Sequence, residues 1–273
     1  PYTEKIAVIG AGPAGMEAAV TLKQRGFDVV VFDKRDEIGG NLHVAKKPPF
    51  KGKFEWAIDY YKSMAKKLNI TMKLGKEVTA QEVLALKPYS ILVATGSNVI
   101  SIPLEGLDQV QTVQAHDVLA NDMQFANKKV VVIGGGITGL ETALYINRQG
   151  TNQVSVVDML PEWPVDMLDM RYQNEALLEV RHCNDQGVAL FYNNKVVKFA
   201  DGKLFIESTK DGEVKELPAD VIVLSVGVKP NDALWQELLA SGHPSVWKAG
   251  DAIATGKINK AVLHGSKFGY SLS

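Results

Sequence analysis

Two sets of glycines in this 273-residue chain are spaced for holding a pyrophosphate. Gly10, Gly12 and Gly15 follow an apolar run at residues 6–9, and Gly134, Gly136 and Gly139 follow another at residues 130–133. A helix N-terminus presents free backbone N–H groups and the positive end of the helix dipole, so it holds phosphate without a basic side chain. In each GxGxxG the first glycine makes the tight turn off the strand and the second lets the backbone approach the phosphates. The third lets the helix pack closely on the sheet. Asp33 stands 23 residues past Gly10, where a carboxylate accepts hydrogen bonds from adenosine ribose hydroxyls, and Asp158 takes the same place after the second set. A carboxylate at Asp158 repels a ribose 2′-phosphate, and Met159 and Leu160 follow it, so NADH is favoured over NADPH. A lone GxGxxG is often an ordinary glycine-rich turn; the strand, helix and distant acid in both copies argue for nucleotide binding.

The elements that must position these residues are themselves repeated. Residues 6–33 align with residues 130–158 at an offset of 124, with Glu17 on Glu141, Gly26 on Gly150 and, after one inserted residue, Asp33 on Asp158. Each copy reads as strand, glycine turn, helix, strand. The continuous run at 6–9 suits a parallel strand covered on both faces, Met16, Ala19, Val20 and Leu22 give the helix an apolar stripe, and Gly26 stops it before the run at 29–32. The same grammar recurs at 130–133, 140–146 and 154–157, which puts Ile137 and Thr138 in the opening turn of the second helix. Two βαβ units this far apart predict two nucleotide-binding domains rather than a solenoid. Between the copies lie a basic, proline-containing stretch at 46–53 (KKPPFKGK), a helix at 55–68, a strand at 91–94 that ends in Thr95-Gly96, and a connection at 103–106. Residues 188–191, 195–199 and 203–208 alternate around turns at Asp201-Gly202 and Asp211-Gly212 and predict an antiparallel element; a buried strand at 221–226 then ends at Gly227.

Composition narrows the chemistry further. Lys plus Arg number 30 and Asp plus Glu 31, a formal net charge of −1 that gives no attraction for nucleic acid or an anionic membrane. No apolar run approaches the ~20 residues that cross a bilayer and no signal-peptide pattern is present, so a cytoplasmic protein is expected, compatible with oligomerisation. Pro1 opens the chain without methionine, from loss of the initiator or from cutting of a longer chain. Cys183 is the single cysteine; alone it makes no intrachain disulfide, four-thiolate metal site or iron–sulfur cluster, and it reads as structural. His43, His116, His182, His243 and His264 lack ligand spacing, so no metal site is expected. Lys46, Lys47, Lys51 and Lys53 could dock an acidic partner or help hold a flavin phosphate, although such a run is more often a solvated loop. Trp56, Tyr60 and Tyr61 fall at helical spacing and read as core or interdomain contacts.

These residues resemble the two-dinucleotide-binding-domain flavoprotein reductases, in which an FAD domain is interrupted by an NAD(P)H domain. Ile9-Gly10-Ala11-Gly12-Pro13-Ala14-Gly15 resembles the FAD fingerprint, Val93-Ala94-Thr95-Gly96 the family's ATG motif, and Ala249-Gly250-Asp251 the late motif whose aspartate contacts the flavin ribityl chain. Asp33 stands where many relatives have Glu. The resemblance implies an α/β fold of two Rossmann-like domains, with an FAD domain at 1–105 and 228–273 and an NAD(P)H domain at 106–227. It implies further FAD contacts at Lys34, Gly40, Asn41, Leu42, Val78 and Ala261, and NADH contacts at Ile137, Thr138 and Gly227. A final helix beginning Ile258-Asn259-Lys260-Ala261 would turn its N-terminal dipole to the flavin pyrimidine.

More narrowly, Ile38-Gly39-Gly40-Asn41-Leu42 followed by Lys47-Pro48-Pro49-Phe50 is similar to the C-terminal half of 2,4-dienoyl-CoA reductase, 2-enoate reductase and trimethylamine dehydrogenase. In that family an N-terminal Old Yellow Enzyme-like barrel carries FMN and an iron–sulfur cluster. The resemblance implies an NADH-oxidising, FAD-bearing enzyme module whose partner is such a barrel or a separate electron acceptor. Hydride transfer between the cofactors obliges no catalytic side chain. The alternatives are a free-standing diaphorase that reduces quinones, dyes or a ferredoxin-like protein, and an ADP-binding structural module like the corresponding region of the trimethylamine dehydrogenase branch. With one cysteine, the dithiol relay of the disulfide-reductase branch is excluded.

Overall fold

Apolar runs punctuated by glycine turns build two five-stranded parallel sheets, seen in a computed structural model that describes residues 4–161 and 170–273. The first part of the chain forms Lys5–Ile9 (β1), Pro13–Gln24 (α1), Asp28–Phe32 (β2), Leu42–Ala45 (α2), Glu55–Lys67 (α3), Thr71–Lys73 (β3), Ala80–Ala85 (α4), Ser90–Val93 (β4) and Ser97–Val99 (β5). Then come Gln111–Gln114 (β6), Ala115–Ala120 (α5), Lys129–Ile133 (β7), Ile137–Asn147 (α6), Gln153–Val157 (β8), Met170–Asp185 (α7) and Ala189–Phe191 (β9). Asn194–Ala200 (β10), Lys203–Ser208 (β11), Val214–Pro218 (β12) and Val221–Leu224 (β13) lead to Val228–Pro230 (β14), Ala233–Ala240 (α8), Val246–Lys248 (β15) and Ile258–Ser271 (α9). No helix among the described residues is long and apolar enough to cross a membrane.

The chain divides into two compact units: residues 4–46 with Lys53–Asn98 and Val228–Ser273, and Lys47–Gly52 with Val99–Gly227. The sheet of the first has the order β15-β4-β1-β2-β3 and that of the second β6-β13-β7-β8-β9. All pairings in both are parallel. The duplication therefore reaches the register: β1 meets β2 from Lys5↔Asp28 to Ile9↔Phe32, and β7 meets β8 from Lys129↔Gln153 to Ile133↔Val157. Strand β9 pairs parallel with β8, the place β3 takes beside β2. Residues 188–191 thus leave the antiparallel element expected of them, because local alternation does not name a strand's neighbour. Strands β10, β11 and β12 do form an antiparallel meander.

Burial on both faces explains the unbroken apolar runs. Ile6 and Val8 join Ile58 and Tyr61 of α3 and Phe268 of α9 in one apolar layer, while Ala7 and Ile9 join Val83 of α4 and Leu238 of α8 on the opposite face. In the second unit Val130 and Val132 pack with Leu140 and Leu144 of α6; Val131 and Ile133 pack with Phe199, Leu204 and Ile206 of the meander. Of the aromatic trio, Tyr61 is buried and donates to Glu17 Oε2 at 3.1 Å, but Trp56 and Tyr60 are 68% and 49% exposed. Their i, i+4 spacing puts them together on the opposite side of α3 from Ile58 and Tyr61.

Two close approaches order the first unit. A Cβ at Gly265 of α9 would overlap the Ala14 carbonyl of α1 and reach within 3.1 Å of Ala18 N; at Gly269 it would come within 2.6 Å of Thr21 Cβ. Arg25 then spans the end of α9, Nη1 donating to Gly269 O and Nη2 to Leu272 O, both at 2.6 Å. The start of α4 is closed by its own side chains, Thr79 Oγ1 accepting from Glu82 N at 3.3 Å and Glu82 Oε2 from Thr79 N at 2.9 Å. Thr79→Ala should lower stability by ~1 kcal/mol, read as a thermal midpoint ~2–4 °C lower.

Candidate dinucleotide-binding sites

In the first unit the chain must reverse at the end of β1 without obstructing β4. Gly10 does so at φ +111°, donating its N–H to Phe32 O at 2.7 Å where a Cβ would overlap Ala94 O. Gly12 is the N-cap of α1, Pro13 opens the helix, and no side chain caps it or places an acid in its first turn. The opening amides are thereby left for an anion, in contrast to the self-capped α4. A Cβ at Gly15 would overlap Gly10 O, so α1 starts pressed against the turn.

Further stretches converge there. Gly40 passes over the turn so closely that its Cβ would lie 2.8 Å from Gly12 Cα, and Gly39 N donates to Ala11 O at 2.9 Å. A Cβ at Gly250 would lie 3.0 Å from Ala14 Cβ and 3.6 Å from Ala261 Cβ. Asp251 is oriented by Gly256 N at 3.0 Å on Oδ1 and by Ser97 Oγ at 3.3 Å on Oδ2. Thr95 Oγ1 donates to Asn231 O at 2.5 Å and Gly96 O accepts from Asn231 N at 3.0 Å, which fixes the residues after β4. Asn41 is exposed at the start of α2 and accepts from Arg35 Nη2 at 3.4 Å; Leu42 behind it is buried. Lys34 is exposed, and Val78 lies in the apolar layer with Phe32 and Val83.

The second unit repeats the plan. Gly134, at φ +108°, donates to Val157 O at 2.8 Å, and a Cβ there would overlap Ser225 O. Gly136 caps α6 with open space where a side chain would stand, and again no side chain caps the helix or puts an acid in its first turn. A Cβ at Gly139 would overlap Gly134 O. Ile137 is half-buried and Thr138 exposed, its carbonyl taking Thr142 Oγ1 at 2.6 Å; Gly227 lies just past Ser225 and accepts from Ile100 N at 3.0 Å.

Both strand-end acids turn back onto their own loops. Asp33 Oδ2 accepts from Ala11 N at 2.6 Å and Oδ1 from Arg35 N at 2.8 Å. Asp158 Oδ2 accepts from Gly135 N at 2.6 Å and Oδ1 from Leu160 N at 2.8 Å. The glycine between the two fingerprint glycines was not marked by sequence reasoning: a Cβ on buried Gly135 would lie 3.0 Å from Tyr192 Cε1. The aligned glutamates differ in partner, Glu17 facing the Tyr61 hydroxyl and Glu141 the Lys51 ammonium at 2.9 Å. Burial, with Glu17 second, raises the Tyr61 pKa well above its ordinary value.

The basic run is taken up by the protein's own groups. Lys46 pairs with Glu55 at 2.5 Å, Lys47 with Asp122, and Lys51 with Glu175 at 2.7 Å as well as with Glu141. Lys53 lies over the Trp56 ring at 5.6 Å. Phe50, held at φ +68°, stacks with the Arg148 guanidinium at 4.5 Å and the His182 ring at 5.1 Å. These pairings weigh against the run as a docking surface or flavin-phosphate clamp. Cys183 sits near the end of α7, fully buried, 3.8 Å from Leu140 O; burial, and then Glu179, pushes its thiol up to about 12. We expect iodoacetamide at pH 8 to leave it unmodified in the folded protein and to alkylate it after denaturation, as read by mass spectrometry.

A family model described as pyridine nucleotide-disulphide oxidoreductase matches residues 4–264. The NADH oxidase of Thermoanaerobacter brockii is 31% identical over 280 residues, which cover 100% of this chain and 41% of the relative. The bilirubin reductase of Mediterraneibacter gnavus is 35% identical over 228 residues, 84% of this chain and 34% of the relative. Among solved structures, a 2-naphthoyl-CoA reductase in complex with 2-naphthoyl-CoA matches with a TM-score of 0.89 and 29% identity, over 99% of this chain and 40% of that one. The chain thus spans 34–41% of the length of these proteins.

Proposed function

Because the chain belongs to the pyridine nucleotide-disulphide oxidoreductase family, we propose that it is the NADH-oxidising, FAD-bearing module of a flavoprotein reductase. Its fold is the Rossmann-like one of FAD- and NAD-binding proteins, and FAD and a pyridine nucleotide are the family's cofactors. The observation that carries the reading is the pair of uncapped helix N-termini, each behind a glycine turn and each beside a strand-end aspartate. Those features fit two dinucleotides: a pyrophosphate meets free N–H groups and no acid in the first turn of either helix.

The flavin, when bound, supplies the two-electron chemistry that takes electrons from reduced nicotinamide and hands them on. The chain's own residues bind and orient. In this reading FAD lies in the first unit, with its pyrophosphate on Gly12, Pro13, Ala14 and Gly15, its adenosine ribose on Asp33 and its ribityl chain on Asp251. Gly40, Asn41, Thr95, Gly96 and Ala261 add contacts to the same cofactor, with buried Leu42 backing Asn41, and the N-terminus of α9 favours negative charge on the ring. NADH takes the second unit, with its pyrophosphate on Gly136, Ile137, Thr138 and Gly139 and its ribose on Asp158, a carboxylate that disfavours the 2′-phosphate of NADPH. The relative named NADH oxidase supports NADH as donor, and the greater length of that relative and of the bilirubin reductase supports an acceptor on a further domain, in this reading an FMN and iron–sulfur barrel.

The test is an anaerobic visible spectrum of the chain loaded with FAD, before and after stoichiometric NADH and, separately, NADPH. Bleaching of bound flavin by NADH in preference to NADPH is the expected result. Flavin that neither nucleotide bleaches would overturn the reductase reading in favour of a structural nucleotide-binding module.

A further inference from the structure

The two strand-end aspartates share a geometry that a ribose acceptor alone does not require. In each unit one carboxylate oxygen accepts the N–H of the residue between the first two fingerprint glycines at 2.6 Å, Ala11 in one and Gly135 in the other. The second oxygen accepts the N–H two residues further along the chain at 2.8 Å, Arg35 in one and Leu160 in the other. Four bonds thus repeat across units whose sequences at these positions differ. We propose that Asp33 and Asp158 are positioning residues that clasp their own glycine turns before any nucleotide arrives, in addition to receiving the ribose.

The chemistry permits both roles. An ionised carboxylate has about four acceptor sites, so one N–H on each oxygen leaves room for two ribose hydroxyls. Charge-assisted bonds to backbone N–H groups are among the stronger hydrogen bonds, and here they hold the turn and the end of the second strand to one side chain. The bond from a side chain to the backbone N–H two residues on is the Asx turn, made by Asp and Asn and not by the longer Glu. That accounts for Asp at position 33, where the resemblance leads one to expect Glu. In the first unit the clasped peptide is held at both ends, since Ala11 O also accepts from Gly39 N at 2.9 Å. In the second, a Cβ on Gly135 would lie 3.2 Å from Asp158 Cβ and 3.3 Å from its Oδ2, so glycine there gives the carboxylate its place. A turn already held in shape needs less ordering when the nucleotide binds.

The ribose half of this statement rests on the proposed function; the clasp does not, and the experiment separates them. Backbone hydrogen exchange is followed by mass spectrometry on the full chain with no nucleotide added, and NADH affinity is measured in parallel by titration. Asp158→Ala should speed exchange in the peptide that holds Gly135, and in the one that holds Leu160, by about tenfold each, while the peptide with Ala11 keeps its rate. Asp158→Asn keeps one acceptor and should release only one of those two amides. Asp33→Ala should give the reciprocal pattern, and Asp33→Glu should release Arg35. Gly135→Ala, which crowds the carboxylate without removing it, should speed exchange as well; the undisturbed unit reports folding in every variant. Unchanged exchange in Asp158→Ala with weakened NADH binding would overturn the clasp and leave the nucleotide reading intact. Faster exchange with unchanged NADH affinity would support the clasp and remove Asp158 from the nucleotide site.

Discussion

Gly139→Val should abolish NADH binding while FAD stays bound. A Cβ at this position overlaps Gly134 O and comes within 3.1 Å of Gly134 C and 3.3 Å of Ser225 Oγ. Two of those three atoms are backbone of the turn itself, so no rotamer change relieves the clash, and α6 must lift from the residues that feed it. The amides at its N-terminus then lose their aim, and a bound phosphate loses both the hydrogen bonds and the end of the dipole. A loss of at least about a hundredfold in affinity, ~2.8 kcal/mol, is the expected size. The measurement is NADH titration of the FAD-loaded protein, with retained flavin absorbance as the control that the first unit is folded. Gly15→Val should do the converse and leave the protein colourless, because the equivalent Cβ overlaps Gly10 O. Tight NADH binding by the valine variant would remove the N-terminus of α6 from the nucleotide site.

Gly265→Val is expected to be the more damaging change for stability. Here the obstructed atoms belong to α1: the Ala14 carbonyl, and Ala18 N at 3.1 Å. Helix α9 contributes Phe268 to the apolar layer under β1, and its end is held by Arg25, so lifting it at Gly265 strains both. The cost should be about 3 kcal/mol or more, at the upper end of overpacking effects, and lower the thermal midpoint by roughly 10 °C. Flavin release on heating gives the readout, since Gly250 and Ala261 border the same helix pair. Gly265→Ala should fall in the same direction by a smaller amount. A valine variant that melts with the parent would show that α9 does not depend on close contact with α1.

The sequence was most legible where a backbone constraint dictates residue type. Gly10 and Gly134 reverse the chain at positive φ beneath a crossing carbonyl, which only glycine does cheaply, and so the two turns stand out in the sequence and locate β1, α1, β7 and α6. It was less legible where partners are remote. Gly265 and Gly269 carry a small-residue spacing of four, but nothing local says that their neighbours are Ala14, Ala18 and Thr21, some 250 residues earlier. The alternation in residues 188–191 was clear, yet β9 found β8 rather than β10, because pairing is decided by the sheet and not by the strand. The lysines of 46–53 looked unattached for the same reason: Asp122, Glu141 and Glu175 lie roughly 70 to 125 residues away. Within the candidate sites, sequence spacing marked Asp33 and Asp158 but gave no sign that their carboxylates face loop amides.

The order in which the pieces leave the ribosome follows from the division into units. The second unit lacks nothing but its own residues once position 227 has emerged, whereas the first still awaits Val228–Ser273, which brings the edge strand β15 and the helix α9. During that interval Ala14, Ala18 and Thr21 of α1 have no α9 against them. At ~5–20 residues per second, making the intervening 129 residues takes roughly 6–26 s, long compared with helix formation. The nascent first unit therefore waits through that interval with the Ala14, Ala18 and Thr21 face of α1 uncovered, and its packing is completed only after the second unit has been made.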